Sequence, residues 1–447
     1  MSKTPFARHV SSTRTPVVII GAGLTGMSAS LHLRASGTQH RIIERSHEPG
    51  GLSVTVERDG FRFDRTGHLL HLRDPEIRES VLGLPGCEFI TINRCSMVWS
   101  QGRFTRYPYQ ANTYGLPPET AFECVMGFLE AQHQARQENA EHTTANFEQF
   151  CMKHFGRGFC EHFMIPYNHK LWGVHPREIT ALWCRRFVPI PTVQDVIGGA
   201  VGYSPRELGY NTSFVYPSHG IGSFSNALAQ SVGIIELNKE VCAIDATLKR
   251  IELIDGECVD YNVLITTAPL TVLMGMMKNL PGSVREAATR LRYTCLHYLD
   301  VALDVPSKHP FHWVYVPEER YPFYRVGVYS NFSPKMAPNG KACMYIELTD
   351  RREPDIPGIT AIVADSLVEL GFIDRRDQML FADHRTIDHA YVIYDHAYQA
   401  SVSTLMEYLT QMGIISVGRY GGWDYSSMED AILYGRRAAK EAMEILR

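Results

Sequence analysis

The feature that most constrains this chain lies near its start. Four apolar residues, Val17-Val18-Ile19-Ile20, run into Gly21-Ala22-Gly23-Leu24-Thr25-Gly26, and a helical pattern follows from Met27 to Ala35. Gly37 ends that pattern, and Arg41-Ile42-Ile43-Glu44 reads as a second buried strand. Strand, glycine turn, helix and strand make a βαβ unit. Each glycine has its own task in such a unit. The first permits a tight turn, the second lets backbone approach a pyrophosphate, and the third lets the helix pack on the strand. The helix start then offers free N–H groups and a partial positive charge to the phosphates. Glu44 stands 23 residues after Gly21, where a carboxylate can accept from ribose hydroxyls. Glycine turns also end ordinary strands, but in this context the motif reads as a dinucleotide site.

Composition narrows the remaining choices. The 447 residues allow about three domains at roughly 150 residues each. With 45% apolar and 21% charged residues, a large core is expected and wholesale disorder is excluded. A net charge of -4 and a pI of 6.6 lack the footprint of a dedicated nucleic-acid binder. The most apolar stretch, Val17 to Leu33, contains three glycines and His32, so no membrane span is expected. The ten cysteines are scattered without a CxxC pair, which fits reduced thiols in the cytoplasm rather than zinc or a disulfide scaffold. The first 16 residues hold Lys3, Arg8 and Arg14 with no acid and no apolar stretch of a signal peptide, and read as a disordered tail, with a transit peptide as the weaker alternative.

Along the chain, Leu116 to Phe155 reads as helical, with a Gln- and Glu-rich solvated face from Ala121 to Ala140. The Pro- and Gly-rich region Val188 to Gly222 reads as turns and short segments. Strands are expected within Glu236 to Ile265, with a hairpin at Asp255-Gly256, and at Tyr298–Leu303, Trp313–Val316, Tyr324–Tyr329, Met344–Leu348 and Ile414–Val417. A final helix starts at Ser427. His68, His71 and Asp74 resemble a metal cluster only superficially, because a third convergent ligand is missing; no metal is expected. Cys151 and Cys160 read as buried small apolar residues.

After Glu44 come Arg45-Ser46-His47-Glu48-Pro49-Gly50-Gly51-Leu52 and then Phe63-Asp64-Arg65-Thr66-Gly67-His68. A plain NAD dehydrogenase would continue βαβ here. This glycine pair with a second glycine turn resembles the flavoprotein family of amine oxidases, protoporphyrinogen oxidase and UDP-galactopyranose mutase. The resemblance implies FAD, with Gly50 and Gly51 near its phosphates and the turn of Gly67 and His68 against the flavin. Gly418-Arg419-Tyr420-Gly421-Gly422-Trp423 resembles the family's closing FAD segment. The implied cofactor contacts are Gly21, Gly23, Gly26, Glu44, Arg45, Gly50, Gly51, Leu52, Gly67, His68, Val241, Gly418, Tyr425 and Met428. The implied fold is α/β: a Rossmann-like FAD-binding domain with an inserted helical domain and an antiparallel β-sheet substrate domain. The FAD-binding parts are expected at 15–85, 191–270 and 401–447, substrate-sheet strands at 86–112, the helical domain at 113–190 and the substrate sheet at 271–400.

The middle of the chain resembles the eukaryotic-type UDP-galactopyranose mutases in order. Tyr107-Pro108-Tyr109-Gln110 is similar to their Tyr-Pro-Phe-Gln segment. The run from Phe163 through Asn168 to Trp172, followed by Trp183, is similar to another. Asn211 to Pro217, Trp313 to Tyr315, Pro322 to Arg325, Ser330 to Pro334, His389 to Tyr391 and Trp423 to Tyr425 match further segments. The resemblance implies a nucleotide-sugar isomerase that interconverts pyranose and furanose rings through a reduced-flavin N5 adduct to the anomeric carbon. NADPH or NADH is the implied reductant, and a homo-oligomer is left open. Tyr107, Gln110, Phe163, Asn168, Trp172, Asn211, Trp313 and Tyr315 are the implied substrate contacts. Arg325, Tyr391 and Tyr425 match the residues that hold the diphosphate and, with His68, are the implied catalytic set.

The chain also departs from that pattern. Phe187 stands where a second diphosphate arginine is expected, with Arg185 and Arg186 beside it. Ile165 replaces another arginine, Val392 replaces a proline, and Glu429 stands where an amide touches flavin or substrate. An FAD-dependent oxidoreductase of the amine oxidase or protoporphyrinogen oxidase type is the competing reading. It needs the cofactor framework but not Arg325.

Overall fold

A computed structural model describes residues 14–137, 145–184, 188–203, 212–348 and 354–447. The glycine motif sits where the sequence pattern requires. Strand β1 (Thr15–Ile20) leads into helix α1 (Leu24–Ala35), and strand β2 (His40–Ile43) follows. β1 pairs in parallel with β2 on one side and with the strand Cys258–Thr266 on the other. Val17 to Ile20 are accordingly buried on both faces, the reason this run is uniformly apolar instead of alternating.

Beyond Cys258–Thr266 the sheet takes Ile414–Ser416 in parallel and Arg250–Leu253 antiparallel, with Val241–Asp245 at the far edge. The expected hairpin at Asp255-Gly256 is present, with Gly256 at φ +87°. The closing helix Met428–Ile445 begins at the expected place because Ser427 and Asp430 cap each other reciprocally. It lies across α1. Ser28 Oγ donates to the Ile432 carbonyl at 2.7 Å, a bond between residues 404 positions apart. A methyl at Gly435 would fall inside van der Waals contact of the Thr25 carbonyl.

A second sheet has seven strands in the order 379–392, 293–303, 342–348, 323–328, 313–315, 96–100 and 103–106. All its pairs are antiparallel except Trp313–Tyr315 beside Ser96–Ser100, which run parallel. The fold is the expected mixed α/β type, with that one parallel pair as a difference. The strand expected over Tyr324–Tyr329 spans Phe323–Val328, and Tyr329 instead opens a short helix to Phe332. The longest strand, Met379–Val392, has no counterpart among the expected strands. It carries charged and imidazole side chains on half-exposed positions, so it lacks an apolar alternation.

Two helices, Pro118–Gln137 and Phe147–Phe159, occupy the region read as helical. The first turns Cys124, Gly127, Phe128 and Ala131 inward and most of its Gln and Glu outward; the end of that stretch, up to Ala140, lies outside the described residues. The region read as turns from Val188 to Gly222 is more ordered than that. It holds a helix, Val193–Ala200, started by a Thr192–Asp195 capping box, and a strand, Ser213–Pro217, whose partner Phe89–Asn93 is distant in sequence. Cys151 and Cys160 are buried, and burial pushes both thiols up, the reverse of nucleophile activation. Among the described residues no helix is long and apolar enough to cross a membrane, and no three His, Cys, Asp or Glu side chains gather as metal ligands.

Candidate functional site

The first part of the site is made of backbone. Gly21 turns at φ +97°, and a Cβ at Gly26 would fall inside contact of the Gly21 carbonyl. At Gly23 the situation is opposite: an added Cβ meets nothing nearer than Gly51 Cα at 3.9 Å. Gly50 N donates to the Ala22 carbonyl at 2.8 Å, so the glycine pair lies directly against the first turn of α1. That helix has no side-chain cap at Gly23 and no acid in its first turn. Open space over Gly23, uncapped N–H groups and the helix dipole fit the diphosphate of a dinucleotide. At the end of β2 the buried Glu44 carboxylate accepts from Ala22 N at 2.7 Å and Ser46 N at 2.8 Å. Each oxygen keeps a lone pair for a ribose hydroxyl. Leu52 packs into the core beside the pair, whereas Arg45 is exposed at the rim. Val241 starts its strand just after Lys239, whose N–H donates to the Glu44 carbonyl at 2.9 Å. Gly418 lies on Thr25, and Met428 Sδ accepts from Ser53 Oγ at 3.8 Å, so the chain's last segment reaches the same cradle.

The second part is the turn from Asp64 to His68. Thr66 stands at φ +67°, and His68 Nδ1 lies 3.3 Å from the Thr66 carbonyl. Burial lowers the His68 pKa to about 4, with the charges of Arg419, Arg65 and Arg325 acting in the same direction, so the imidazole is neutral at pH 7. Gly67 has a close neighbour in the second sheet. A Cβ there would fall inside contact of the Tyr345 hydroxyl, so its small size serves a side chain of the second sheet. His71 Nδ1 lies 3.3 Å from the Ser213 carbonyl and Asp74 caps the helix Pro75–Leu82, which disposes of the superficial metal cluster.

The third part is made of side chains from five separate segments. Arg325, on the strand Phe323–Val328, faces Glu347 across the ladder from Ala342–Leu348. Its Nε donates to Glu347 Oε2 at 2.7 Å, and its Nη2 donates to Tyr391 Oη at 3.1 Å. The Glu347 side chain is 0% exposed, and its Oε1 has no partner among the described residues. Arg419, in the short helix Gly418–Gly421, places its guanidinium 4.9 Å from the Tyr425 ring centre and 5.7 Å from that of Tyr391. It donates to the carbonyls of Ser426 and Ala390 and has no carboxylate partner among the described residues. Tyr391 is thus the hub, with Trp172 at 5.7 Å and Tyr425 at 5.8 Å between ring centres. Burial pushes its phenol up, with Arg325 pulling the other way, so the hydroxyl stays protonated and can donate to a ligand oxygen.

An aromatic wall continues from this hub. Phe163 stacks between Tyr109 at 5.0 Å and Tyr167 at 5.1 Å, and Tyr107 lies 4.8 Å from Tyr315. Trp313 packs edge-on at 6.4 Å from Tyr315. Trp172 Nε1, Trp183 Nε1 and Tyr324 Oη are buried there without a partner among the described residues.

Some expected contacts are committed elsewhere. Asn168 donates to the Met164 carbonyl of its own helix at 2.8 Å, and Gln110 donates to the Pro189 carbonyl at 2.8 Å, keeping only Oε1 unpartnered. The buried Glu429 carboxylate accepts from Arg73 N at 2.5 Å and Asp74 N at 2.8 Å, so it anchors backbone. Asn211, Arg185, Arg186 and Phe187 lie outside the described residues. Glu347, Tyr345 and Arg419 escaped the sequence-based choice of site residues. The available signal was a buried acid in an otherwise apolar strand, Met344-Tyr345-Ile346-Glu347-Leu348, which requires a paired cation.

The family described as flavin containing amine oxidoreductase matches residues 24–443. Among solved structures, reduced UDP-galactopyranose mutase superposes with a TM-score of 0.90 at 24% identity, over 96% of this chain and 96% of its own. Putrescine oxidase bound to putrescine superposes with a TM-score of 0.66 at 15% identity, over 97% and 99%. Both likenesses are likenesses of fold. A limonene dehydrogenase polypeptide from Castellaniella defragrans is 37% identical over 76 residues, which is 17% of this chain and only 14% of that relative's length.

Proposed function

The chain belongs to the flavin-containing amine oxidoreductases, and from that membership we propose that it is an FAD-dependent isomerase of nucleotide sugars, interconverting pyranose and furanose rings in the cytoplasm. One observation carries this reading. Two guanidiniums, Arg325 and Arg419, converge on Tyr391, Glu347 is the one carboxylate paired with either among the described residues, and His68 beside them is neutral. Such a site attracts an anion. A diphosphate meets Arg325 through Nη1, which has no partner among the described residues, and meets the hydroxyls of Tyr391 and Tyr425. The wall of Tyr107, Phe163, Tyr315 and Trp172 suits a stacked base and the C–H faces of a sugar. Bound and reduced, with NADPH or NADH as the electron source, FAD supplies the nucleophile for the anomeric carbon. The protein's task is then to orient the sugar and to hold the departing diphosphate until it returns. All ten cysteines are free thiols, which fits a reducing compartment.

The family's own chemistry and the limonene dehydrogenase match favour a second reading, an oxidoreductase. An amine substrate, however, is a cation and would be repelled by the net positive charge that Arg325 and Arg419 keep after Arg325 pairs with Glu347, and a terpene has no use for it. The deciding experiment incubates dithionite-reduced protein with a panel of UDP-sugars and separates the products by chromatography. A ring isomer formed without net oxidant consumption is expected. Steady hydrogen peroxide release from an amine, with no isomer from any nucleotide sugar, overturns the proposal.

A further inference from the structure

The turn beside His68 is anchored at its base and rests on one side chain at its crest. At the base, the buried Asp64 carboxylate accepts from Thr55 Oγ1 at 2.6 Å, Tyr216 Oη at 2.6 Å and Ile221 N at 3.0 Å. Tyr329 Oη donates to the Asp64 carbonyl at 2.7 Å. From there the chain passes through Thr66 at φ +67°, a left-handed conformation that a β-branched residue holds only when its surroundings impose it. At the crest, a Cβ on Gly67 would lie 3.1 Å from Tyr345 Cζ and collide with the hydroxyl. The same ring covers Gly327, its partner on the next strand, where a Cβ would fall inside the ring itself. Tyr345 is therefore seated between two glycines with its hydroxyl against the turn, and it is 1% exposed. Two residues along the same strand, on the same face, Glu347 holds Arg325.

We infer that Tyr345 is a positioning residue: its hydroxyl sets the height of the Thr66–His68 turn, and through it the protein surface presented to the flavin. The inference rests on the reading that the glycine cradle takes FAD. Nothing in the local sequence suggests this role, because Tyr345 and Gly67 meet only through the packing of the second sheet on the turn.

The test is a double-mutant cycle on the holoprotein, with FAD affinity, visible absorption and flavin midpoint potential as readouts. Tyr345→Phe keeps the ring in the slot at Gly327 and removes only the hydroxyl, so the fold is retained. Gly67→Ala drives a methyl into that hydroxyl and is expected to weaken FAD binding about tenfold, within the range of coupled neighbours. In the double variant the methyl meets only a ring carbon, and most of the loss is recovered. Tyr345→Phe alone is expected to shift the midpoint potential and the visible bands. Additive effects together with a wild-type potential in Tyr345→Phe reduce Tyr345 to a filler and overturn the inference. If Gly67→Ala does not fold, the potential of Tyr345→Phe decides by itself. A wild type that cannot be loaded with FAD overturns the cofactor reading and this inference with it, whereas additivity in a yellow holoprotein overturns this inference alone.

Discussion

Around Gly23 the decisive atoms are backbone N–H groups, and the decisive side chains are the missing ones. Around Tyr391 the backbone is hidden, and rings and guanidiniums form the surface. The cradle is built by one βαβ unit within some 30 residues, with a late contribution from the closing helix. The wall draws on helical segments, four strands of one sheet and the stretch from Arg419 to Tyr425. A backbone-built surface is specified by spacing and tolerates no added atoms. A side-chain-built surface is specified by tertiary packing and can be altered one group at a time. Proteins of this fold can therefore keep the cradle and vary the wall.

The sharpest separation comes within the cradle itself. Gly26→Val forces a branched side chain against the Gly21 carbonyl and Ile19; it is expected to cost about 3 kcal/mol or more and to leave little folded protein in a denaturant titration. Gly23→Val points into open space. It is expected to fold like the wild type and to lose FAD affinity by about 100-fold, giving colourless protein that melts normally without cofactor. Equal destabilisation by both changes would dissolve the distinction between a packing glycine and a ligand-facing one.

In the wall, Glu347→Ala strands the Arg325 guanidinium, whose side chain is 20% exposed, without its carboxylate. A loss of about 3 kcal/mol is expected, because removing one member of a buried pair costs more than the pair contributes. Added UDP should restore part of that stability in a thermal melt. Arg325→Ala should weaken UDP binding by about 1.5–3 kcal/mol, or roughly 10- to 150-fold, with Arg325→Lys recovering only a fraction and FAD content unchanged in both. An unchanged UDP titration would remove the main support for a nucleotide-sugar ligand.

The smallest effect tests the join between the two regions. The folded His68 pKa of about 4 lies below its ordinary 6.5, so the unfolded chain takes the proton first. Stability is lost as pH falls from 6.5 towards 4. Asp64, raised by burial to about 6 from 3.8, acts in the opposite direction and loses its contribution as pH rises through that window. The two offset each other in the wild type. His68→Gln removes one of them, and its stability relative to the wild type should rise by about 1–2 kcal/mol between pH 7 and pH 4.5, read from paired unfolding curves. A difference that does not change with pH would mean that the imidazole is not held neutral.

What could be read from sequence follows this division. The glycine spacing, Glu44 and the helix start at Ser427 are local patterns, and each appears in the structure at the expected residue. The strand Met379–Val392 escaped notice because its half-exposed positions carry His384, Arg385 and Asp383 instead of an apolar alternation. Asn168 and Gln110 enter through the family resemblance alone, and their amides donate to nearby carbonyls that the local sequence does not reveal. Glu347 stands out as an acid in an apolar strand, but its cation does not, since Arg325 lies 22 residues away on another strand.

The hydrogen bond from Ser28 to Ile432 has a consequence for how the protein is made. The helix that carries the glycine turn leaves the ribosome early, and the helix that covers it emerges about 400 residues later. Until then the side of α1 that carries Thr25, Ser28 and Ala29 has no lasting cover from that direction. The nascent chain therefore carries an unfinished cradle while the intervening residues are made, a window in which chaperones rather than flavin are its natural company. Cofactor capture is then expected to wait for the arrival of the closing helix.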